Sequence, residues 1–351
     1  MRSHNIMAKT QVPSFLTKHK TSSLKMDDVS DAAEPPEIWF DTGSCIINKI
    51  ISDKYDGGFA ENRMAMIAGP SGSGKSFLVG NAVLQALKAG YGALVIDSEK
   101  ALDNTYMGAI GVDINSPLYA YYEVTSLTSA KKIVSDFFKL YRQAPQSEQI
   151  PYLIVIDSLD MLRTDSQIEK DEKGDIHNDQ GQAVLQRGDF QTSIMHAIKH
   201  LHMACVVTKQ PYVNRDTYTN KRMPYIVTEK LRFPHSQLLF VTNKLLKDKK
   251  TNIYEGINLE VYGFKSRFSK PYQKCVIEVP YESGIDWYSG VLEAAEAMGI
   301  VSKNGSWYIY GDNKFQGKNF EKYQDEIFKE LVAQESKVLS YELLPEDLED
   351  S

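Results

Sequence analysis

Apolar runs and helical spacings alternate along the chain up to Leu238. Largely apolar runs predict buried strands, and they cover 64–68, 92–96, 118–122, 152–156 and 204–208. The helical spacing of apolar positions predicts helices over 76–88, from near Ala101, over 128–141 and over 183–202. Because strands and helices alternate, the pattern predicts an α/β fold with a mostly parallel central sheet flanked by helices on both faces.

Beyond Leu238 the pattern becomes rich in strands. Strands are predicted at 238–242, 258–264 and 274–279, and they are followed by a helix over 291–298 and a strand at 307–310. These changes, together with changes in charge, divide the chain into an N-terminal arm and linker, a core, a small C-terminal domain and a tail. The predicted bounds of these parts are 1–36, 37–283, 284–337 and 338–351.

The composition is that of a water-soluble globular chain. Its 351 residues are 42% hydrophobic and 25% charged, enough for one large domain or two smaller ones. No apolar run approaches the length of a membrane span, and the N-terminus lacks the apolar stretch of a signal peptide. The cysteines at 45, 205 and 275 are too scattered for a disulfide framework or a metal site. We therefore expect a cytoplasmic protein without a membrane partner.

The net charge of −6, from 40 basic and 46 acidic residues, argues mildly against a polyanionic partner. The distribution of the charges changes that picture. Residues 338–351 carry five acids and no base, so residues 1–337 sum to only −1, and residues 1–25 carry five bases and no acid. The segment 209–232 has six bases and two acids, a net charge of +4. We expect a disordered acidic tail that competes internally for a nucleic-acid surface.

A phosphate-binding motif joins the first predicted strand to the first predicted helix. The sequence Gly69-Pro-Ser-Gly-Ser-Gly-Lys-Ser76 matches G-x-x-x-x-G-K-[ST] in full, in the structural context that the motif requires. Its glycines let backbone N–H groups close around phosphate oxygens at a helix N-terminus. The predicted nucleotide-binding residues are Gly69, Pro70, Ser71, Gly72, Ser73, Gly74, Lys75 and Ser76. Lys75 should pair with the β- and γ-phosphates, and the Ser76 hydroxyl should be a ligand of Mg²⁺.

Carboxylates follow two other predicted strands, at the sheet edge where ligands bind in α/β folds. Asp157 ends the strand at 152–156 and suits the Mg²⁺ of a nucleotide, although such an acid can also be a loop residue or a helix cap. Glu99 follows the strand at 92–96 and is our candidate for the group that activates the attacking water; the alternative is a solvated loop acid. Tyr106 is placed to stack on a purine ring or to pack in the core.

Longer motifs carry a resemblance to a known family. They are Val95-Ile-Asp-Ser-Glu-Lys-Ala-Leu-Asp103 with Tyr106, Gly111-Val-Asp-Ile114, Gly284-Ile-Asp-Trp-Tyr-Ser-Gly290 and Lys303-Asn-Gly-Ser-Trp-Tyr308. Over roughly residues 40–325 the chain resembles the RecA family of DNA recombinases, and it looks most like the recombinases of T-even-type bacteriophages (UvsX) or a close relative of bacterial RecA. The resemblance implies a RecA-type P-loop ATPase core that uses ATP and Mg²⁺.

The same resemblance implies roles for individual residues. Glu99 activates the hydrolytic water, while Asp103 and Tyr106 hold the adenine. Gln210 senses the γ-phosphate and leads into a DNA-binding loop, so it joins Lys75 and Glu99 among the predicted catalytic residues.

Lys265 and Arg267, spaced as Lys-x-Arg, resemble the paired basic residues that reach the ATP of the neighbouring subunit in a helical filament. They complete the predicted catalytic set. The alternative for this pair is two cations on one face of a strand, because side chains two residues apart share a face. The N-terminal arm is implied to take part in polymerisation.

Two segments, near 163–182 and 209–236, are predicted DNA-binding loops. The second interleaves its cations with aromatic residues, which suits contacts to phosphates and unpaired bases. The candidate DNA-binding residues are Arg215, Lys221, Arg222, Lys230 and Arg232, and the alternative is a charged loop without a ligand. This segment lacks the glycines of the family and has Thr-Glu-Lys-Leu-Arg-Phe-Pro at 228–234, and 163–180 holds three bases and six acids.

Residues and resemblance together imply a DNA-dependent ATPase that forms homo-oligomeric helical filaments on single-stranded DNA and exchanges that strand with homologous double-stranded DNA. Such a recombinase serves homologous recombination and recombination-dependent repair. Mediator and single-strand-binding proteins are its expected partners, and the host cytoplasm is its expected location if a phage encodes it. The alternative is a RecA-fold ring-forming DNA motor or a recombination accessory ATPase, because the ATP motifs alone permit either.

Overall fold

The computed structural model describes residues 35–174, 180–213, 225–247 and 252–334. The chain divides after Glu37 into two units, and the elements given below all lie in the second unit. The strands are β1 (Trp39–Phe40), β2 (Phe59–Ala60), β3 (Arg63–Ala68), β4 (Gly92–Asp97), β5 (Tyr119–Glu123), β6 (Tyr152–Asp157), β7 (Met203–Lys209), β8 (Tyr212–Val213), β9 (Tyr225–Ile226), β10 (His235–Lys247), β11 (Tyr254–Ser266), β12 (Gln273–Pro280), β13 (Ser302–Asn304), β14 (Trp307–Tyr310) and β15 (Asn313–Gln316).

The α-helices differ widely in length. They are α1 (Cys45–Ser52), α2 (Lys75–Lys88), α3 (Asn104–Ile110), α4 (Leu127–Gln143), α5 (Asp165–Glu172), α6 (Gln180–Ala197), α7 (Glu229–Arg232), α8 (Val291–Ala297) and α9 (Gln324–Ala333). Within the described ranges, no helix has the length and apolarity needed to cross a membrane. Short 3₁₀ turns lie at Gln146–Glu148, Leu159–Met161 and Gly317–Lys322.

The central sheet has eight strands in the order β12-β11-β10-β3-β7-β6-β4-β5. The strands from β10 to β5 are parallel, and β11 and β12 join antiparallel at one edge. This confirms the predicted mostly parallel sheet. A three-stranded antiparallel sheet, β13-β14-β15, accompanies α8 and α9.

The central sheet buries side chains on both faces, because helices cover both. In β3, Ala65 and Ile67 belong to one apolar cluster, while Met64 and Met66 belong to the other. Residues of α1, α2, α3, α8 and α9 join the first cluster, and residues of α4 and α6 join the second. The β14 and β15 side chains also enter the first cluster, so residues of the small C-terminal sheet share a core with the central sheet. The predicted domain boundaries stay predictions.

The apolar pattern predicts the strands well and the helix ends less well. The helix expected from near Ala101 begins at Asn104, because the Asp103 side chain caps its first turn. The helix expected over 183–202 ends at Ala197, and His200 and His202 have left-handed backbone conformations that are incompatible with a helix. Helix α5 forms in a segment that lacks apolar periodicity.

The buried amide of Gln237 ties β10 to the last turn of α1 and to β2 with the residue that precedes it. Its Oε1 accepts the backbone N–H of Ala60 at 3.1 Å, and its Nε2 donates to the carbonyl oxygens of Ile51 at 3.0 Å and Gly58 at 2.9 Å. The side chain is fully buried, so water cannot replace these bonds.

We predict that Gln237→Leu lowers the free energy of unfolding by about 3 kcal/mol, because it removes three hydrogen bonds to buried backbone groups. Urea denaturation followed by circular dichroism measures this change. Gln143→Leu, at the exposed end of α4, is the matched control and should change stability by less than about 0.5 kcal/mol. Equal effects of the two substitutions would contradict the assigned role of Gln237.

Candidate nucleotide-binding and hydrolysis site

Four neighbouring parallel strands, β3, β7, β6 and β4, deliver their carboxyl ends to one edge of the sheet. Ala68 of β3 pairs with Lys209 of β7, and Asp97 of β4 pairs with Asp157 of β6. The loops that follow these residues therefore start at nearly the same position along the strand direction. Segments that are far apart in the sequence meet at this edge.

The loop between β3 and α2 has the shape of a phosphate cradle. Gly74, the residue that precedes α2, has a φ of 97°, a left-handed conformation that favours glycine. At Gly69, a Cβ would lie 2.3 Å from the carbonyl oxygen of Val241, so the close approach of the two backbones requires glycine. The Asn243 amide donates to the Gly72 carbonyl oxygen at 2.6 Å. The loop is thus held at the N-terminus of a 14-residue helix, where backbone N–H groups and the helix dipole favour an anion.

Lys75 is buried against this loop. Its ammonium donates hydrogen bonds to the carbonyl oxygens of Gly69 at 2.9 Å and Pro70 at 2.8 Å. Burial lowers the pKa of Lys75, and the negative charges of Glu99 and Asp157 act in the opposite direction. A lysine in this position can pair with phosphate oxygens that enter the cradle.

Asp157 and Ser76 provide oxygen atoms suited to a magnesium ion. The Thr208 hydroxyl donates to Oδ1 of buried Asp157, whereas Oδ2 is buried and has no hydrogen-bond partner within the described ranges. Burial raises the pKa of Asp157, and the hydroxyls of Thr208 and Ser76 partly offset this effect. Mg²⁺ is commonly held by one or two carboxylates together with waters and phosphate oxygens. These side chains therefore fit the Mg²⁺ of a bound nucleotide.

Asp97 shapes the loop after β4 that carries Glu99. The buried carboxylate of Asp97 accepts the backbone N–H groups of Glu99 at 3.0 Å and Leu102 at 2.8 Å, and the Tyr121 hydroxyl at 3.1 Å. The carboxylate of Glu99 is exposed and accepts the hydroxyl of Ser158, at the end of β6. Glu99 is thus fixed by its own loop and by the next strand, and it faces the cavity above the P-loop.

A cavity of about 820 Å³ runs from the P-loop to the segment after β12, a size that suits a small-molecule ligand. Residues 71–76 of the motif, Glu99 and Gln210 are among its polar lining residues. Its apolar lining residues include Phe77, Leu84, Ile110, Ile257 and Ile285.

Tyr106 lines the cavity, whereas Asp103 is not among its lining residues. Burial, aided by the charge of Asp157, raises the pKa of Tyr106 to about 12, so its ring is neutral at physiological pH. Oδ1 of Asp103 accepts the Tyr106 backbone N–H at 2.8 Å and caps α3. Asp103 therefore orients the helix that carries Tyr106, and the predicted adenine contacts of both residues stay predictions.

Gln210 follows directly after β7, and Asp160 holds its main chain. The Gln210 backbone N–H donates to Oδ2 of Asp160 at 2.9 Å. The other oxygen of Asp160 pairs with the ammonium of Lys209 at 2.5 Å. The Lys209 carbonyl oxygen accepts the Gly69 N–H at 3.1 Å, so this strand end also contacts the start of the P-loop.

Lys265 and Arg267 stand apart from the nucleotide cavity of their own subunit. Neither lines it, and Lys265 instead borders a second groove together with Arg232 and Tyr272. Burial lowers the pKa of Lys265, and the positive charges of Arg267 and Arg232 lower it further. Three cations therefore gather on this face, close enough to repel one another.

The predicted DNA-binding residues fall into two groups. Arg215, Lys221 and Arg222 lie outside the described residues. Lys230 pairs with Asp189 at 3.1 Å, and Arg232 pairs with Glu229 at 2.8 Å within α7. The segment 163–182, predicted as a loop, contains α5 and the start of α6.

Sequence reasoning gave no role to four residues at the site: Asp97, Asp160, Asn243 and Tyr281. Asp97 lies two residues before Glu99, and Asp160 three residues after Asp157, so both stood next to motifs that were recognised. Tyr281 lines the cavity directly after β12 and two residues beyond the predicted strand at 274–279, where the sequence predicts no ligand contact. No local signal marks Asn243.

Comparisons with known proteins agree with this geometry. The model of the RecA N-terminal domain family matches residues 37–286. The chain is similar to Protein RecA of Picosynechococcus (29% identical over 303 residues, covering 85% of this chain and 81% of the relative) and of Nostoc punctiforme (30% over 293 residues, 82% and 76%). It is also similar to Protein RecA of Bacteroides thetaiotaomicron, at 26% identity over 334 residues, which cover 93% of this chain and 92% of that protein.

We predict that Lys75→Met weakens ATP binding about 10- to 100-fold, because one charge-assisted contact to phosphate is lost. Titration of a fluorescent ATP analogue in the absence of DNA measures the affinity. Lys139→Met, on the exposed face of α4, is the matched control and should bind like the wild type. Unchanged binding by Lys75→Met would mean that the cradle does not hold the phosphates.

Proposed function

The chain belongs to the RecA family of DNA recombinases, and we propose that it hydrolyses ATP in a helical filament on single-stranded DNA and exchanges that strand with a homologous duplex. The observation that carries the proposal is the meeting of the P-loop, Glu99 and Gln210 around one cavity. Gln210 also lies in the basic segment 209–232. A residue that lines the cavity therefore leads directly into the predicted DNA-binding loop.

ATP binding is supported by the cradle, by Lys75 and by the apolar side chains that line the cavity. The phosphates would lie against the N-terminus of α2, and the base would lie among the apolar side chains near Tyr106. Ser76 and Asp157 would hold a Mg²⁺, whose chemistry when bound is to neutralise phosphate charge. Lys75 would complete that neutralisation from the protein side.

Hydrolysis is assigned to Glu99, which would accept a proton from the attacking water. Its carboxylate is fixed by the Ser158 hydroxyl at the cavity edge, while its backbone is fixed by Asp97. A base held in this way is oriented before the substrate arrives, which is what general base catalysis requires.

The filament is supported by the position of Lys265 and Arg267. These cations do not line the nucleotide cavity of their own subunit, so they are available to the ATP of a neighbouring subunit. Mutual repulsion at Lys265 would be relieved by an anion from that neighbour. A site completed in this way would couple ATP binding to assembly.

Contacts to DNA are assigned to 163–182 and 209–236, with Lys230 and Arg232 at the described end of the second segment. Partnership with mediator and single-strand-binding proteins, a location in the cytoplasm and the closer likeness to the recombinases of T-even-type phages belong to the same proposal.

We predict that single-stranded DNA stimulates ATP hydrolysis by the wild type and that Glu99→Gln lowers the stimulated rate at least about 100-fold, because it removes the general base. ATP binding should be retained, so filaments of this variant should persist. Phosphate release assays give the rates, and negative-stain electron microscopy shows the filaments.

Glu148→Gln removes an exposed carboxylate that does not line the cavity, and it should behave like the wild type. Normal hydrolysis by Glu99→Gln would reassign the base. Closed rings in place of filaments, with ATP and single-stranded DNA present, would favour a ring-forming motor over a recombinase.

A further inference from the structure

Asp160 and Lys209 form an ion pair at the base of both predicted DNA-binding loops. The Lys209 side chain is fully buried, while that of Asp160 is 22% exposed, and their charged atoms lie 2.5 Å apart. Neither residue belongs to the P-loop or to the acids that the sequence motifs single out. The two residues are 49 positions apart in the chain, so the fold alone brings them together.

The two oxygens of Asp160 serve two different parts of the β7 end. One oxygen pairs with the Lys209 ammonium, and the other accepts the backbone N–H of Gln210 at 2.9 Å. A carboxylate held by a buried cation on one side has little freedom to rotate. The Gln210 main chain is therefore fixed where it enters the cavity.

Asp160 is also linked, through the chain, to the first predicted DNA-binding segment, 163–182. It lies in the 3₁₀ turn Leu159–Met161, which leads from β6 into 163–182. The residue after this turn, Leu162, accepts two hydrogen bonds from the buried guanidinium of Arg187 in α6, at 3.0 and 2.8 Å, so the helix at the end of the segment anchors the residue that precedes the segment. A shift of the 163–182 segment would therefore displace Asp160.

The pair also reaches the phosphate cradle. The carbonyl oxygen of Lys209 accepts the N–H of Gly69, the first residue of the P-loop, at 3.1 Å. The charge of Asp160 also acts on Lys75, in the direction that favours the protonated ammonium. The pair thus stands three residues before one predicted DNA-binding segment and at the first residue of the other, and the Lys209 main chain contacts the start of the P-loop.

We infer that Asp160 is a positioning residue that, through Lys209 and the Gln210 main chain, couples recognition of the γ-phosphate to the binding of single-stranded DNA. A nucleoside triphosphate would contact Gln210, whereas a diphosphate would not reach it. The inference rests on the proposed function: the part on nucleotide preference needs only ATP binding at this site, and the part on DNA also needs the binding of single-stranded DNA.

The test compares Asp160→Asn, Lys209→Met and the double variant in the full-length protein. The Asp160→Asn change keeps the size of the side chain but removes the carboxylate that faces the buried Lys209 ammonium. We expect the end of β7 to move so that this ammonium gains solvation. The double variant removes both charges and keeps an amide oxygen for the Gln210 N–H. The expected pattern is a loss in each single variant and a substantial recovery in the double variant, which a general loss of packing does not produce.

Two readouts are measured. The first is the preference for a slowly hydrolysed ATP analogue over ADP without DNA, and it should fall about tenfold in Asp160→Asn, while ADP affinity changes less than about twofold. The second is the stimulation of kcat by single-stranded DNA, and it should also fall about tenfold, with a smaller change in KM for ATP. Asp136→Asn, which changes an exposed acid on α4, is the matched control.

The outcomes separate this inference from the proposed function. Wild-type behaviour of Asp160→Asn in both readouts overturns the inference, and so does a double variant that is no better than the single variants. If the wild type shows no stimulation by DNA, the proposed function fails, and the nucleotide preference measured without DNA still decides whether Asp160 positions Gln210. If Asp160→Asn folds poorly, the double variant is compared with Lys209→Met and the wild type. A cooperative melting curve and normal ADP binding show that the double variant is folded.

Discussion

Hydrogen bonding between four neighbouring parallel strands is the constraint on which the site depends. The ladder sets Ala68 level with Lys209 and Asp97 level with Asp157, so the loops that leave these strands must meet at one edge. Helices cover both faces of the sheet, and these strands are buried along almost their whole length, which specifies the register strongly. The phosphate cradle, the candidate base Glu99 and Gln210 are neighbours because of strand order, although they are far apart in the sequence.

Four carboxylates stand at this edge, and their partners distinguish their roles. Asp97 is satisfied by backbone N–H groups and a tyrosine hydroxyl, so it shapes a loop. Asp160 is satisfied by Lys209 and the Gln210 N–H, so it joins two strand ends. Within the described residues, Asp157 keeps one buried oxygen without a hydrogen bond, and Glu99 is exposed to the cavity. Asp157 and Glu99 can therefore still accept a ligand or a proton, and they are the acids assigned to the metal and to the attacking water.

Local patterns predicted the sheet and the P-loop, because buried strands are apolar runs and phosphate binding needs glycines next to a helix start. They did not predict α5, since the capping box formed by Thr164 and Gln167 stabilises it in place of an apolar stripe. They also did not predict the Asp160–Lys209 pair, because a long-range ion pair leaves no periodic signal and a lysine at the end of a strand normally reaches solvent. The individual roles implied by the family resemblance, such as the adenine contact of Asp103, depend on a bound nucleotide and on a neighbouring subunit.

The central claim is that ATP bound at this edge drives strand exchange on DNA. It is tested most directly by incubating the full-length protein with circular single-stranded DNA and a homologous linear duplex, and resolving the products on an agarose gel. The account predicts joint molecules and then nicked circles, which require ATP, Mg²⁺ and homology between the two DNAs. Hydrolysis of ATP stimulated by single-stranded DNA, without any joint molecules from homologous substrates, would contradict it.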